Sequence, residues 1–275
     1  MKTKLLLLLV LLFAATVHAA EPENRPVRIL AIGNSFSADA LEDNLHALAA
    51  ADGTVCEIGN LYIGGCSLER HVRNARTDAP AYEYRRIDRA GNRTNTPGVA
   101  MREALEEGDW DFISIQQASP LSGLYETYTA SIGELLDSIR RYCPEAHILF
   151  HQTWAYAQHA GHPGFATYGN DQQTMYAAIM EATERVAADY GLTIVPAGTA
   201  LQNLRRKAGD IVDRDGYHLN PLGRYAAACV WFEVLFGRDV RPNGYERPDL
   251  DPELQRLARE AAHAAVTQPF AVTAE

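Results

Sequence analysis

The run Val27-Arg28-Ile29-Leu30-Ala31-Ile32-Gly33, broken at once by Asn34-Ser35-Phe36-Ser37, constrains this chain more than any other stretch. A short run rich in Ile, Leu and Val reads as a strand covered on both faces, which belongs in a parallel sheet. Gly33 permits a sharp turn. From Ala38 a helical spacing begins, with Leu41, Leu45 and Leu48 on one face. A serine in such a strand–turn–helix corner stands at the carboxyl edge of the sheet, where open α/β sheets hold ligands. The helix start there also favours developing negative charge. Ser35 or Ser37 could equally cap the helix. A chemical role needs a base, and Asp215-Gly216-Tyr217-His218 offers one far along the chain.

The rest of the sequence alternates in the same way. Further strands are expected at 55–63, 112–115, 146–150 and 192–196, and helices at 97–107, 128–141, 171–190, 220–236 and from 251 onward. The last two open with Asn220-Pro221 and Asp251-Pro252, a cap followed by a first-turn proline. The expectation is an α/β fold with a central parallel sheet of about five strands, helices on both faces, and one domain over 20–275. Residues 67–97 are less regular. Tyr82-Glu83-Tyr84-Arg85-Arg86-Ile87 followed by Ala90-Gly91-Asn92 reads as a hairpin-like insertion at the active-site edge.

Residues 1–19 read as a signal peptide: Lys2 and Lys4, an apolar run from Leu5 to Phe13, and small residues at Val17 and Ala19. The expectation is export to a periplasmic or secreted location after cleavage near Ala19, with no stable membrane anchor. Loss of those two lysines takes the formal net charge from -10 to -12. So acidic a chain is a poor ligand for nucleic acid. Cys56, Cys66, Cys143 and Cys229 match no zinc spacing and are expected as buried free thiols. His159-x-x-His162 lacks a useful third ligand, so neither a metal nor a cofactor is expected.

Acyl transfer needs a nucleophile, a base, an orienting group for the base, and donors for the oxyanion. Ser35 can attack, His218 can take its proton, and Asp215, three residues before, can hold the imidazole. Donors are available from the Ser35 N–H, the Gly65 N–H in Gly64-Gly65-Cys66-Ser67, and the side-chain amide of Gln116 or Gln117 after the third strand. These blocks, in this order, resemble the SGNH (GDSL-like) hydrolase family. Gly33-Asn34-Ser35-Phe36-Ser37 is similar to its first block, with Asn34 for the usual Asp. Ile63-Gly64-Gly65-Cys66-Ser67 is similar to the second, and Asp215-Gly216-Tyr217-His218 to the closing Asp-x-x-His. The third block departs: Gln116-Gln117-Ala118-Ser119 stands where Gly-x-Asn-Asp is usual, with Gln116 the first choice for the amide. The resemblance implies a three-layer, flavodoxin-like fold and a Ser–His–Asp ester hydrolase.

Trp154, Tyr125, Tyr128 and Tyr168 are candidates for a sugar-stacking rim, since aromatic faces cover apolar sugar faces. Asn170 either bonds substrate or caps the following helix. The expected function is an exported esterase removing a small acyl group, most simply acetyl, from an acylated carbohydrate. The alternatives are a glycan-binding protein on the same scaffold and a related acyltransferase.

Overall fold

The computed structural model describes residues 25–273, so the expected signal peptide at 1–19 lies outside the described residues. Seven strands form one sheet: β1 (Val27–Gly33), β2 (Cys56–Tyr62), β3 (Tyr82–Ile87), β4 (Arg93–Val99), β5 (Phe112–Ile115), β6 (His147–His151) and β7 (Thr193–Val195). Ten α-helices accompany them among the described residues: α1 (Ser35–Leu41), α2 (Leu45–Ala51), α3 (Leu68–Thr77), α4 (Met101–Glu106), α5 (Glu126–Thr129), α6 (Ile132–Tyr142), α7 (Gln172–Tyr190), α8 (Ala197–Ala208), α9 (Pro221–Phe236) and α10 (Pro252–Thr267). The strand order is β4-β3-β2-β1-β5-β6-β7.

The five expected strands are present and parallel, in the order second, first, third, fourth, fifth. This is the flavodoxin-like order, whose direction reverses between β1 and β5, and ligands bind at the carboxyl ends beside that reversal. Alternate residues of β1 feed two cores. Ile29 and Ala31 face α1, α2, α8, α9 and α10, while Leu30 and Ile32 face α3, α4 and α6. The run Ile29–Ile32 is thus apolar because both sheet faces are covered there.

The sheet is wider than the expected five strands. The hairpin expected within 67–97 is present as β3 and β4, but it extends the sheet antiparallel to β2, and Ser67 caps α3 before it, accepting from Arg70 N–H at 3.3 Å. Because β3 runs against β2, pairing Glu83 with Tyr62 and Ile87 with Ile58, the hairpin tip lies at the edge opposite the carboxyl end. The hairpin's turn is therefore remote from the serine corner.

Other boundaries move for local reasons. Pro97–Val99 complete β4, so the helix expected from Pro97 starts only at Met101. The helix expected over 128–141 is split into α5 and α6 at Ala130-Ser131. Helix α8 is not among the expected helices, although Ala197, Ala200, Leu201 and Leu204 follow a helical spacing and are buried. The four cysteines are unpaired and buried. No helix among the described residues is long and apolar enough to cross a membrane.

Candidate active site

Strand β1 delivers Ser35 as the first residue of α1. The cap is neither Ser35 nor Ser37 but Asn34, whose Oδ1 accepts from Phe36 N–H at 2.9 Å. Ser35 is thereby free of local bonding duties. Its Oγ lies 3.0 Å from His218 Nε2, and His218 Nδ1 lies 2.7 Å from Asp215 Oδ2. With Nδ1–H donated to the carboxylate, Nε2 is left to accept the serine proton.

The turn carrying Asp215 and His218 is held tightly. Asp215 Oδ1 accepts from the backbone N–H of His218 at 2.8 Å and of Tyr217 at 3.2 Å. Burial pushes the Asp215 carboxyl up, but these bonds and the His218 ring outweigh it and hold it below the usual carboxylate range. Gly216 has φ +91°, and a side chain there would come within 2.8 Å of Ala160. Ala157 N–H donates to Gly216 O at 2.7 Å, so the turn rests directly on the loop after β6.

Asp39, a residue the sequence reading passed over, joins the two halves. It sits one turn along α1 from Ser35 and is almost wholly buried. Its Oδ2 accepts from Leu219 N–H at 2.8 Å, and its Oδ1 pairs with Arg224 at 2.5 Å and Arg214 at 3.2 Å. The helix that carries the serine thus grips the residue after the histidine. Asp39 lies four residues after Ser35 on the helix, but nothing in the sequence sets it apart from any other acidic helix residue.

The expected oxyanion donors divide. Gly64 and Gly65 line a cleft of about 400 Å³ with Ser35 and His218. Among the described residues neither the Ser35 nor the Gly65 N–H has a protein acceptor. Gln116 lies beneath the cleft, 1 % exposed. Its Nε2 donates to Asn34 Oδ1 at 2.8 Å and its Oε1 accepts from His151 Nδ1–H at 2.9 Å. Asn34 Nδ2 in turn donates to Cys66 O at 3.0 Å. Gln116 therefore braces the serine turn and, through Asn34, the glycine loop. Gln117 points elsewhere, donating to Thr127 and accepting from the Leu68 and Ala118 N–H groups.

The expected sugar-binding side chains are not on the cleft. Trp154 is fully buried, stacked on Phe36 at 4.0 Å, with Nε1 donating to Tyr217 O at 2.8 Å. Tyr168 is buried, its hydroxyl bridging Gly123 N–H and Pro120 O. Tyr128 is buried and donates to Ser122 O, and Tyr125 pairs with Asp189. Asn170 is exposed and neither caps α7 nor lines the cleft; Asp171 is the cap, accepting from Thr174 N–H at 2.7 Å. The rings on the cleft are instead Phe36, Tyr62, His162 and Tyr217, beside Ser119 and Pro120. Loop aromatics look alike in sequence whether they anchor a loop or face solvent.

A family model described as a domain of unknown function, DUF4886, matches residues 28–265. No curated protein matches the chain. Among solved structures, a DUF4886 family protein from Bacteroides uniformis is 48 % identical, with a TM-score of 0.89 over 90 % of this chain and 98 % of that one. A candidate SGNH hydrolase from Slackia heliotrinireducens is 24 % identical, with a TM-score of 0.55 over 76 % of this chain and 98 % of that one. The lipase/acylhydrolase from Enterococcus faecalis is 14 % identical, with a TM-score of 0.50 over 77 % and 96 %. The last two likenesses are of fold. Serine corner, glycine loop and closing Asp-x-x-His therefore sit on a shared scaffold, and the chain belongs to the DUF4886 family and has the SGNH hydrolase fold.

Proposed function

We propose that the protein is a serine ester hydrolase that removes a small acyl group, most simply acetyl, from a carbohydrate. One observation carries the reading: Ser35 and His218, 3.0 Å apart, line a cleft that also holds unbonded N–H groups, and Asp215 backs His218 at 2.7 Å. Ser35 Oγ attacks the acyl carbon as His218 Nε2 takes its proton. Asp215 holds the Nδ1–H and balances the imidazolium. The carbonyl oxygen, now an anion, is received by the Ser35 and Gly65 N–H groups. Collapse breaks the bond to the alcohol oxygen, which leaves with the proton from His218. Water then repeats the cycle on the acyl-enzyme, returning Ser35 and a carboxylic acid.

The carbohydrate half of the reading rests on the cleft walls. Tyr62, Ser119, His162 and Tyr217 put rings and polar tips side by side, which suits a hydroxylated ring better than an alkyl chain. Export rests on residues 1–19 alone. The test is release of 4-nitrophenol from its acetate and butyrate esters by the wild type and by Ser35→Ala. The expected result is Ser35-dependent release that falls from acetate to butyrate. Release unaffected by Ser35→Ala, or a folded wild type that neither turns over an ester nor is labelled at Ser35 by a phosphonate, overturns the reading in favour of a binding protein.

A further inference from the structure

The cleft continues past His218 as a row of rings. The Tyr217 ring centre lies 4.3 Å from that of His218, and the His162 ring 5.0 Å beyond, edge to face at 71°. Given the ester-hydrolase reading, the side on which this row lies has a chemical meaning. The protonated base must hand its proton to the departing alcohol oxygen, so the alcohol lies against His218. The acyl oxygen lies toward the Ser35 and Gly65 N–H groups. Tyr217 and His162 extend the His218 side and so border the alcohol, not the acyl group.

His162 is held in one tautomer. Its Nδ1 accepts from the backbone N–H of Gly164 at 3.0 Å. A neutral imidazole has one donor and one acceptor, so the ring proton is on Nε2. Among the described residues that N–H has no acceptor. Burial, and after it the charge that His218 can carry, lowers the His162 pKa, which keeps the ring neutral. The ring is also seated mechanically. A Cβ on Gly164 would lie 2.4 Å from Pro120 Cβ and 3.1 Å from His162 Nδ1, so only glycine lets the loop close this way. The Tyr156 ring supports His162 at 4.9 Å.

We propose that His162 is the alcohol-side specificity residue of the cleft, its Nε2–H donating to a hydroxyl or ring oxygen of a saccharide that lies on Tyr217. A saccharide offers both acceptor oxygens at its rim and an apolar C–H face. A lipid tail offers C–H surface but no acceptor for the Nε2–H. His162 forms no bond to the reacting atoms; it selects the alcohol.

The proposal is tested by equilibrium binding, independently of turnover. A mono-O-acetylated methyl glucoside is titrated into Ser35→Ala and into Ser35→Ala carrying His162→Ala, His162→Gln or His162→Asn, with thermal unfolding checking that each is folded. His162→Ala is expected to weaken binding about tenfold, the weight of one buried hydrogen bond. Gln places an amide N–H where Nε2 stood and is expected to restore binding to within about threefold, whereas Asn ends one bond short and does not. If His162→Ala does not fold, the Gln and Asn pair decides. Equal binding by all forms, or binding by none, overturns the proposal. Failure of Ser35-dependent ester release would instead overturn the hydrolase reading and leave a His162-dependent saccharide site standing. A second readout is the ring tautomer: two-bond proton–nitrogen correlation is expected to show protonated Nε2 and bare Nδ1, and the reverse tautomer also overturns the proposal.

Discussion

Ser35 and His218 are 183 positions apart in the chain and meet at 3.0 Å because Asp39 holds both of their elements. Ser35→Ala and His218→Ala are each expected to lower kcat by about 10⁴- to 10⁶-fold, and the double variant to be little worse, since the two act as one unit. Steady-state assays on an acetyl ester read both effects; additive losses would speak against a shared step. Asp215→Asn is expected to cost about 10⁴-fold, through the wrong tautomer and not through misfolding. Asp39 calls for a different expectation. It is a buried carboxylate beside Arg214 and Arg224, but both arginines are partly exposed and Arg224 also pairs with Asp43, so the main loss on its removal is in the bond to Leu219 N–H. Asp39→Asn should lower stability by about 1–3 kcal/mol in urea unfolding. A loss of activity without loss of stability would argue that Asp39 does something other than clamp. Ser35, His218 and Asp215 were legible as candidates because the nucleophile, base and orienter that acyl transfer needs are particular residue types. Asp39 was not, because a carboxylate that braces looks like any acidic residue on a helix.

At the scale of elements, the period of the apolar residues located the five parallel strands, but it could not say which loop aromatics face water. Trp154 follows β6 in a stretch with the composition of a binding loop, and it is the wedge between Phe36 of α1 and the carbonyl of Tyr217. Trp154→Ala is expected to cost about 3–5 kcal/mol of stability, the range for removing a large buried ring. A cost below about 1 kcal/mol would return Trp154 to the surface. Gln116 shows the same ambiguity for a polar residue. A glutamine at a strand end can face a ligand or brace its neighbours, and only its contacts with Asn34 and His151 distinguish the two. The β3–β4 hairpin is local and was expected from its alternation and turn, but its pairing with β2 depends on a strand outside that window.

At the scale of the whole molecule, His71 and His151, among the described residues, are buried in neutral form. His71, bonded to the Tyr82 hydroxyl at 2.9 Å, has its pKa lowered to about 3 by burial and, secondarily, by Arg70. His151 is lowered to about 3 by burial alone. Both folded values lie below the unfolded value of 6.5. Above pH 6.5 neither state is protonated and their stability is fully present. As pH falls below that, the unfolded chain gains protons that the folded one refuses, and stability is lost until about pH 3. At pH 5 the loss is on the order of 2 kcal/mol per histidine. Urea midpoints at pH 7.5 and 5 should therefore fall together with pH, and His71→Gln should flatten the dependence; an unchanged midpoint would refute it. The sequence by itself determined the alternation of strand and helix, the serine corner at the end of β1 and the Asp-x-x-His turn, because periodicity and side-chain chemistry are local properties. Only the tertiary structure decided that the sheet has seven strands, that Trp154 and Gln116 are supports, and that His162 faces the cleft. Burial and hydrogen-bond partners are set by what the rest of the chain brings alongside.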